Sequence, residues 1–279
     1  MRPAEFDGAQ VYVVGGSLGI GLAVAERVAA LGADVTIFAR RREPLEQAAA
    51  TVHAACRRPT QSVVWRQLDV ADHEQVTATM NALVAERGSP DVLINCAGRA
   101  YPRRFEEVSY AQFAETMLVN VHGCWNTVQA LLPHMKAKRS GYIVNTSSLA
   151  GLIGVFGYTD YCASKFALVG FSEALRGELK PHGITVSVLC PPDTDTPGLA
   201  SENLTKPEET RAIAASAKVL SAAAVADALL RGMARRRFLI VPGRDGRLGV
   251  LAKRFVPGVV HWVMDRTVAR VAQRHGARP

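Results

Sequence analysis

Residues 11–41 read VYVVGGSLGIGLAVAERVAALGADVTIFARR, and the fold follows from how this stretch is parsed. VYVV is a short, apolar, β-branched run, as a buried strand requires. LAVAERVAALG has helical periodicity and ends at Gly32, and VTIF (35–38) reads as a second strand. Between strand and helix lie Gly15, Gly19 and Gly21. Glycine permits a tight turn and close backbone approach, and a helix N-terminus offers unpaired N–H groups to a pyrophosphate. Glycines alone are a weak signal, but inside a strand–turn–helix–strand unit they predict a dinucleotide cradle of Gly15, Ser17, Leu18, Gly19, Ile20 and Gly21. The second strand runs into Arg40 and Arg41 with no acid at its tip. An acid there would hold a ribose 2′-hydroxyl, whereas a basic residue suits a 2′-phosphate. Arg40 therefore predicts NADPH over NADH.

The same rhythm continues outward. VVWRQL (63–68), VLIN (92–95), YIVNT (142–146), ITVSVL (184–189) and FLIV (238–241) read as further strands, separated by helical segments such as VTATMNALVAERG (76–88). Such alternation implies an α/β fold with a doubly wound parallel sheet of the Rossmann kind, in three α/β/α layers. We expect one domain over 1–243, with a small helical substrate lobe at about 191–235. Residues 244–279 then form a basic C-terminal extension.

Charge is uneven. Of the net +8 in 279 residues, 231–279 hold twelve Arg or Lys against two Asp, which leaves the body nearly neutral. A cationic tail suits an anionic surface or an acidic partner. No module for reading nucleic acid is visible, and none is expected as a partner. In PGVVHWVMDRTVARVAQR (257–274), helical spacing puts Val260, Met264, Val268 and Val271 on one face and Arg266, Arg270 and Arg274 on another. With Trp262, that helix could rest on anionic headgroups, or equally serve as an ordinary packing helix or a dimer contact. There is no secretory pattern and no apolar run approaching the ~20 residues that span a bilayer. A cytoplasmic protein is expected, with peripheral membrane contact through the tail. The five cysteines form no CxxC and the seven histidines show no ligand spacing, so no metal is expected.

Chemistry enters with YCASK (161–165), which sets Tyr161 four residues before Lys165 on one helical face. A phenol near pKa ~10 is a poor acid at neutral pH, and a neighbouring ammonium pulls it toward working range. NTSSLAG places Ser148 thirteen positions before Tyr161; NCAG ends another strand with Asn95, Ala97 and Gly98, and MLVNVHG carries Asn120. With these ordered motifs the chain resembles the short-chain dehydrogenase/reductase family over about residues 9–242. The resemblance implies that Tyr161 is the general acid that protonates a carbonyl oxygen. Lys165 would lower its pKa and hold the nicotinamide ribose, Ser148 would bond the substrate oxygen, and Asn120 would anchor a proton relay. It further implies cofactor contacts from Asp69, Val70, Asn95, Ala97, Gly98, Tyr161, Lys165, Pro191 and Thr194. Homodimers or homotetramers are the family habit. Val14 stands where the family often has Thr, and Leu18 where a small polar residue is common; neither change removes a backbone donor. Ser147 adjoins Ser148, and a one-place shift would exchange them.

CPPDTDTPGL (190–199), ENLTKPEETR (202–211) and GLIGVFGYTDYCASKFAL (151–168) are similar to the 3-ketosphinganine reductases within that family. This implies a hydrophobic keto lipid as substrate, with an ammonium beside the ketone. A carboxylate in a desolvated pocket pairs strongly with such a group, which makes Asp193 and Asp195 candidates, Asp195 first. Turn formation and capping explain the same acids equally simply. The rival readings are a reductase of β-ketoacyl thioesters or another hydrophobic ketone, and an NADP-binding sensor or scaffold without catalysis.

Overall fold

Apolar, largely β-branched runs form the sheet. β1 (Gln10–Val14) is followed by α1 (Gly19–Ala30), β2 (Asp34–Ala39), α2 (Arg42–Ala54), β3 (Val63–Gln67), α3 (His73–Arg87) and β4 (Val92–Asn95). Then come α4 (Tyr110–Met117), α5 (Gly123–Lys138), β5 (Gly141–Thr146), α6 (Thr159–Leu179) and β6 (Ile184–Leu189). The computed structural model describes residues 1–215 and 217–274.

Alternation along each strand sends side chains to two separate cores. Val11 and Val13 join Val24 and Val28 of α1 and Leu45 and Val52 of α2 on one face. Tyr12 and Val14 join Met80 of α3, Leu131 of α5 and Leu175 of α6 on the other. These are the three expected layers.

The remaining elements are β7 (Thr194–Asp195), α7 (Pro197–Thr205), α8 (Glu208–Ala214), β8 (Leu220–Ser221), α9 (Ala222–Ala234), β9 (Leu239–Ile240), α10 (Arg244–Phe255) and α11 (Pro257–Arg274). The main sheet is parallel throughout, in the order β3-β2-β1-β4-β5-β6-β9. Strand order therefore reverses between β1 and β4, which opens a crevice beyond their carboxyl ends, where ligands of such sheets bind.

The lobe is smaller than 191–235: it is α7 and α8 over the short β7–β8 ribbon. α9 packs on α1 instead, because Val225, Leu229 and Met233 need cover that the sheet layer supplies. α11 packs against α8, with Val271 buried and Met264 in a cavity wall. The apolar face that could have met headgroups is thus turned inward. A different set of apolar side chains stays outside: Leu248, Leu251, Phe255, Val259, Trp262 and Val263. No helix among the described residues is long and apolar enough to cross a membrane.

Candidate active site

The glycine turn after β1 is closed from two sides. Gly15 has φ +81°, and a Cβ there would lie 2.5 Å from the Ala97 nitrogen. A Cβ on Gly21 would lie 2.1 Å from the Gly15 carbonyl. Only glycine lets the turn, the loop after β4 and the first turn of α1 meet so closely. Leu18 at the cap of α1 has no side chain to accept the first-turn N–H groups, which leaves them for a ligand anion.

The crevice this creates has a volume of about 660 Å³. Gly15, Ser17, Leu18, Gly19, Ile20, Gly21, Arg40, Asp69, Val70, Ala97 and Gly98 all line it. Arg41, Val119 and Thr196 do so as well. Volume, backbone donors and the two arginines fit a nicotinamide dinucleotide. Five expected contacts, Asn95, Tyr161, Lys165, Pro191 and Thr194, do not line this crevice. Asn95 is buried, donating to Asn145 Oδ1 at 3.0 Å and accepting from Thr127 at 2.9 Å, so its polarity ties strands and helix together. Pro191 and Thr194 line the neighbouring cavity, and the Thr194 hydroxyl donates to the Pro192 carbonyl at 2.8 Å. Thr196, two residues on, takes the place at the crevice, with Cγ2 facing Gly19. Alternation along an extended loop gives both threonines the same face from sequence, so spacing could not separate their neighbours.

A second cavity of about 280 Å³ opens beside the first. The two share Ile20 and Thr196. Ile153, Val155, Leu199 and Ile213 give the second an apolar wall, and Ser148 and Tyr161 stand at its base. The adjacent serines are now distinguished. Ser147 is buried and donates to the Lys165 carbonyl at 2.8 Å. Ser148 faces the cavity, accepts from Ala150 N at 3.1 Å and turns its hydroxyl toward Tyr161.

Tyr161 and Lys165 lie one turn apart at the start of α6. The Lys165 ammonium stands 5.4 Å from the Tyr161 ring centroid and donates to the Thr146 carbonyl at 3.0 Å. Cys96, Cys124 and Cys190 surround it; burial pushes their thiols up, to about 11 for Cys96 and about 12 for the other two, so they bring no charge at neutral pH. Burial brings Lys165 down to about 8. The expected lowering of Tyr161 is not what this site shows. Burial raises it first, and the charge of Glu202 adds to the rise; the Ser148 hydroxyl opposes both. Desolvation penalises phenolate and ammonium alike.

Asn120 falls in a π-helical turn, Leu118–His122, between α4 and α5, a distortion common at functional sites. Its side chain accepts from Arg99 N at 2.8 Å and donates to the Arg99 carbonyl at 3.0 Å and to Ser164 Oγ at 2.9 Å. It thereby clamps the loop after β4 to α6.

Of the two aspartates, Asp193 lines the cavity but is paired with buried Lys206 at 3.1 Å. Asp195 is exposed on β7 and does not line it. The preference for Asp195 is therefore corrected: strand alternation turns it away. Glu202 was missed. It lines the cavity one helical turn beyond Leu199 and accepts from the Tyr158 hydroxyl at 2.6 Å; the (i, i+3) spacing of Leu199 and Glu202 was the available signal. No group of metal ligands occurs among the described residues.

The chain matches the family model described as short chain dehydrogenase over residues 9–207. It is 41% identical over 246 residues to a 3-dehydrosphinganine reductase of Danio rerio, covering 88% of this chain and 74% of that protein. A 3-ketodihydrosphingosine reductase of Bos taurus is 39% identical over the same shares. Among solved structures, a short chain dehydrogenase/reductase from Burkholderia phymatum in complex with NAD aligns with TM-score 0.79 at 29% identity, over 90% of this chain and 94% of that one. Sheet order, glycine cradle and the helix bearing Tyr161 and Lys165 agree with these matches: the chain belongs to the short-chain dehydrogenase family, and it is an oxidoreductase that works between a carbonyl and a hydroxyl group.

Proposed function

We propose that the protein reduces the ketone of a long-chain lipid with NADPH, and that 3-ketosphinganine is its substrate. The observation that carries this reading is the junction of the two cavities. The crevice that fits a dinucleotide meets an apolar chamber at Ile20 and Thr196, and Ser148 and Tyr161 both line that chamber. The sphinganine-type relatives support the substrate class.

Each residue has a task in this reading. Gly15, Ser17, Leu18, Gly19, Ile20 and Gly21 hold the pyrophosphate, Asp69 and Val70 the adenine side, and Ala97, Gly98 and Thr196 the nicotinamide half. Arg40 pairs with the 2′-phosphate. When bound, NADPH supplies the hydride that adds to the carbonyl carbon. The Ser148 proton polarises the carbonyl oxygen. Tyr161 hands its own proton to that oxygen as the C=O π bond breaks, and the Lys165 ammonium offsets the phenolate left behind. Asn120 keeps the loop after β4 against α6, so the cradle and the acid stay in register.

The apolar side chains left outside on α10 and α11 suit a lipid-handling enzyme. They are interleaved with exposed Arg244, Arg247, Arg254, Arg266 and Arg270, a combination that favours an anionic lipid surface. In this reading the protein works at the cytoplasmic face of a membrane without spanning it.

NADPH consumption is to be compared across 3-ketosphinganine, a β-ketoacyl thioester and a steroid ketone. Preference for the first is expected, and Tyr161→Phe should lower turnover by about 10²- to 10⁴-fold. Preference for the thioester would overturn the substrate; unaltered turnover in the Phe variant would overturn the mechanism.

A further inference from the structure

We infer that Glu202, fixed by Tyr158 in the wall of the substrate cavity, forms a subsite for an ammonium group on the carbon next to the ketone. The inference rests on the long-chain ketone reading and adds to it the residue that selects the amine.

The chamber around Glu202 is mostly apolar, and its charged members are few. Asp193, from the loop after β6, is already paired with Lys206, from the end of α7. Lys165 does not line the chamber and donates to the Thr146 carbonyl. Glu202 makes no salt bridge among the described residues; its partner is the neutral hydroxyl of Tyr158. One carboxylate thus has no direct ion pair in a half-buried site, where an ion gains most from a close partner of opposite charge, and Lys206 and Lys165 act on it only from further away. Burial accordingly raises the carboxyl, with the Tyr158 hydrogen bond and Lys206 opposing the rise.

Position argues for the same ligand. The Tyr158 and Tyr161 rings lie 5.5 Å apart, so Tyr158 ties the carboxylate to the immediate surroundings of the proton donor. The charge of Glu202 acts on Tyr161 directly. An ammonium one carbon from the reacting carbonyl would sit between the two groups. It would also cancel the negative charge that opposes formation of the Tyr161 phenolate. Recognition of the amine and ease of proton release are therefore coupled, and a substrate without the amine gains neither.

The test uses the full-length enzyme with NADPH and two long-chain ketones, one with the adjacent ammonium and one with hydrogen in its place. Wild type is expected to favour the amine. Glu202→Gln should lose about 10- to 100-fold in kcat/KM for the amine, the size of a charge-assisted bond, and raise kcat on the amine-free ketone, because the negative charge that opposes the Tyr161 phenolate is gone. Calorimetric titration of the NADP+-loaded enzyme with the corresponding amino alcohol should show the same loss in affinity. Tyr158→Phe keeps the carboxylate and should keep most of the preference. The inference is overturned if Glu202→Gln lowers both ketones equally, if the preference survives in it, or if Tyr158→Phe matches its loss. It also fails, with the lipid reading intact, if wild type reduces both ketones equally well. If wild type reduces neither, the lipid reading itself is lost.

Discussion

Tyr161 illustrates how much of a residue's chemistry lies outside its motif. Its spacing to Lys165 and Ser148 was plain in YCASK and NTSSLAG, yet burial and Glu202, forty-one positions further along the chain, push its ionisation upward. Gly15 and Gly21 are the opposite case, because backbone closeness to Ala97 and to each other leaves no space for a Cβ, and a motif of glycines announces that directly. Arg40 lies between these extremes. It was legible as the residue at a strand tip, and it lines the crevice with Arg41 beside it. Replacing it with Ala should lower kcat/KM for NADPH by about 10- to 100-fold, the worth of a charge-assisted bond to phosphate, and leave NADH nearly unaffected. Parallel kinetics with the two cofactors check this; equal losses would remove Arg40 from cofactor choice.

At the scale of elements, short periodic segments were read well and their packing partners were not. β1 to β6 and the helices between them follow from buried β-branched runs and helical spacing. α9 reads as helix just as clearly, but nothing local says that it lies on α1 and not over the substrate. α11 is the sharper example. Its Val260–Met264–Val268–Val271 face could serve a membrane or a protein neighbour, and α8 supplies the neighbour. That packing leaves Phe255 73% and Trp262 57% exposed, an unusual position for large apolar side chains beside arginines. Vesicle flotation tests their role. The Phe255→Ser, Trp262→Ser double variant should lose most of its association with anionic vesicles, keep its turnover of a water-soluble ketone, and be indistinguishable from the parent on neutral vesicles. Undiminished flotation on anionic vesicles would reject the surface.

For the whole molecule, the buried Lys165 sets function against stability. Its ammonium is desolvated among thiols that stay neutral, and its value falls from 10.5 to about 8 on folding. The unfolded chain thus binds this proton more tightly than the folded one, so stability from this group rises as pH climbs from about 8 toward 10.5 and is lowest below that window. By the conversion of 1.36 kcal/mol per unit, the cost at pH 7 is ~3 kcal/mol. Lys165→Met should therefore melt several degrees higher than the parent at pH 7, show a smaller gain between pH 8 and 10, and be nearly inactive. Thermal melts at the two pH values, paired with turnover, check this; a lower melting temperature at pH 7 would contradict it.

Strand and helix identity, the glycine turn, the basic strand tip and the Tyr161–Lys165 pair could all be read from the chain, because each depends on covalent spacing within a few residues of itself. Which serine faces the chamber, whether Thr194 or Thr196 lines the crevice, which acid faces the chamber and where α9 and α11 settle could not. Those outcomes depend on contacts between segments far apart in sequence, and burial, which sets both packing and ionisation, exists only once those segments have come together.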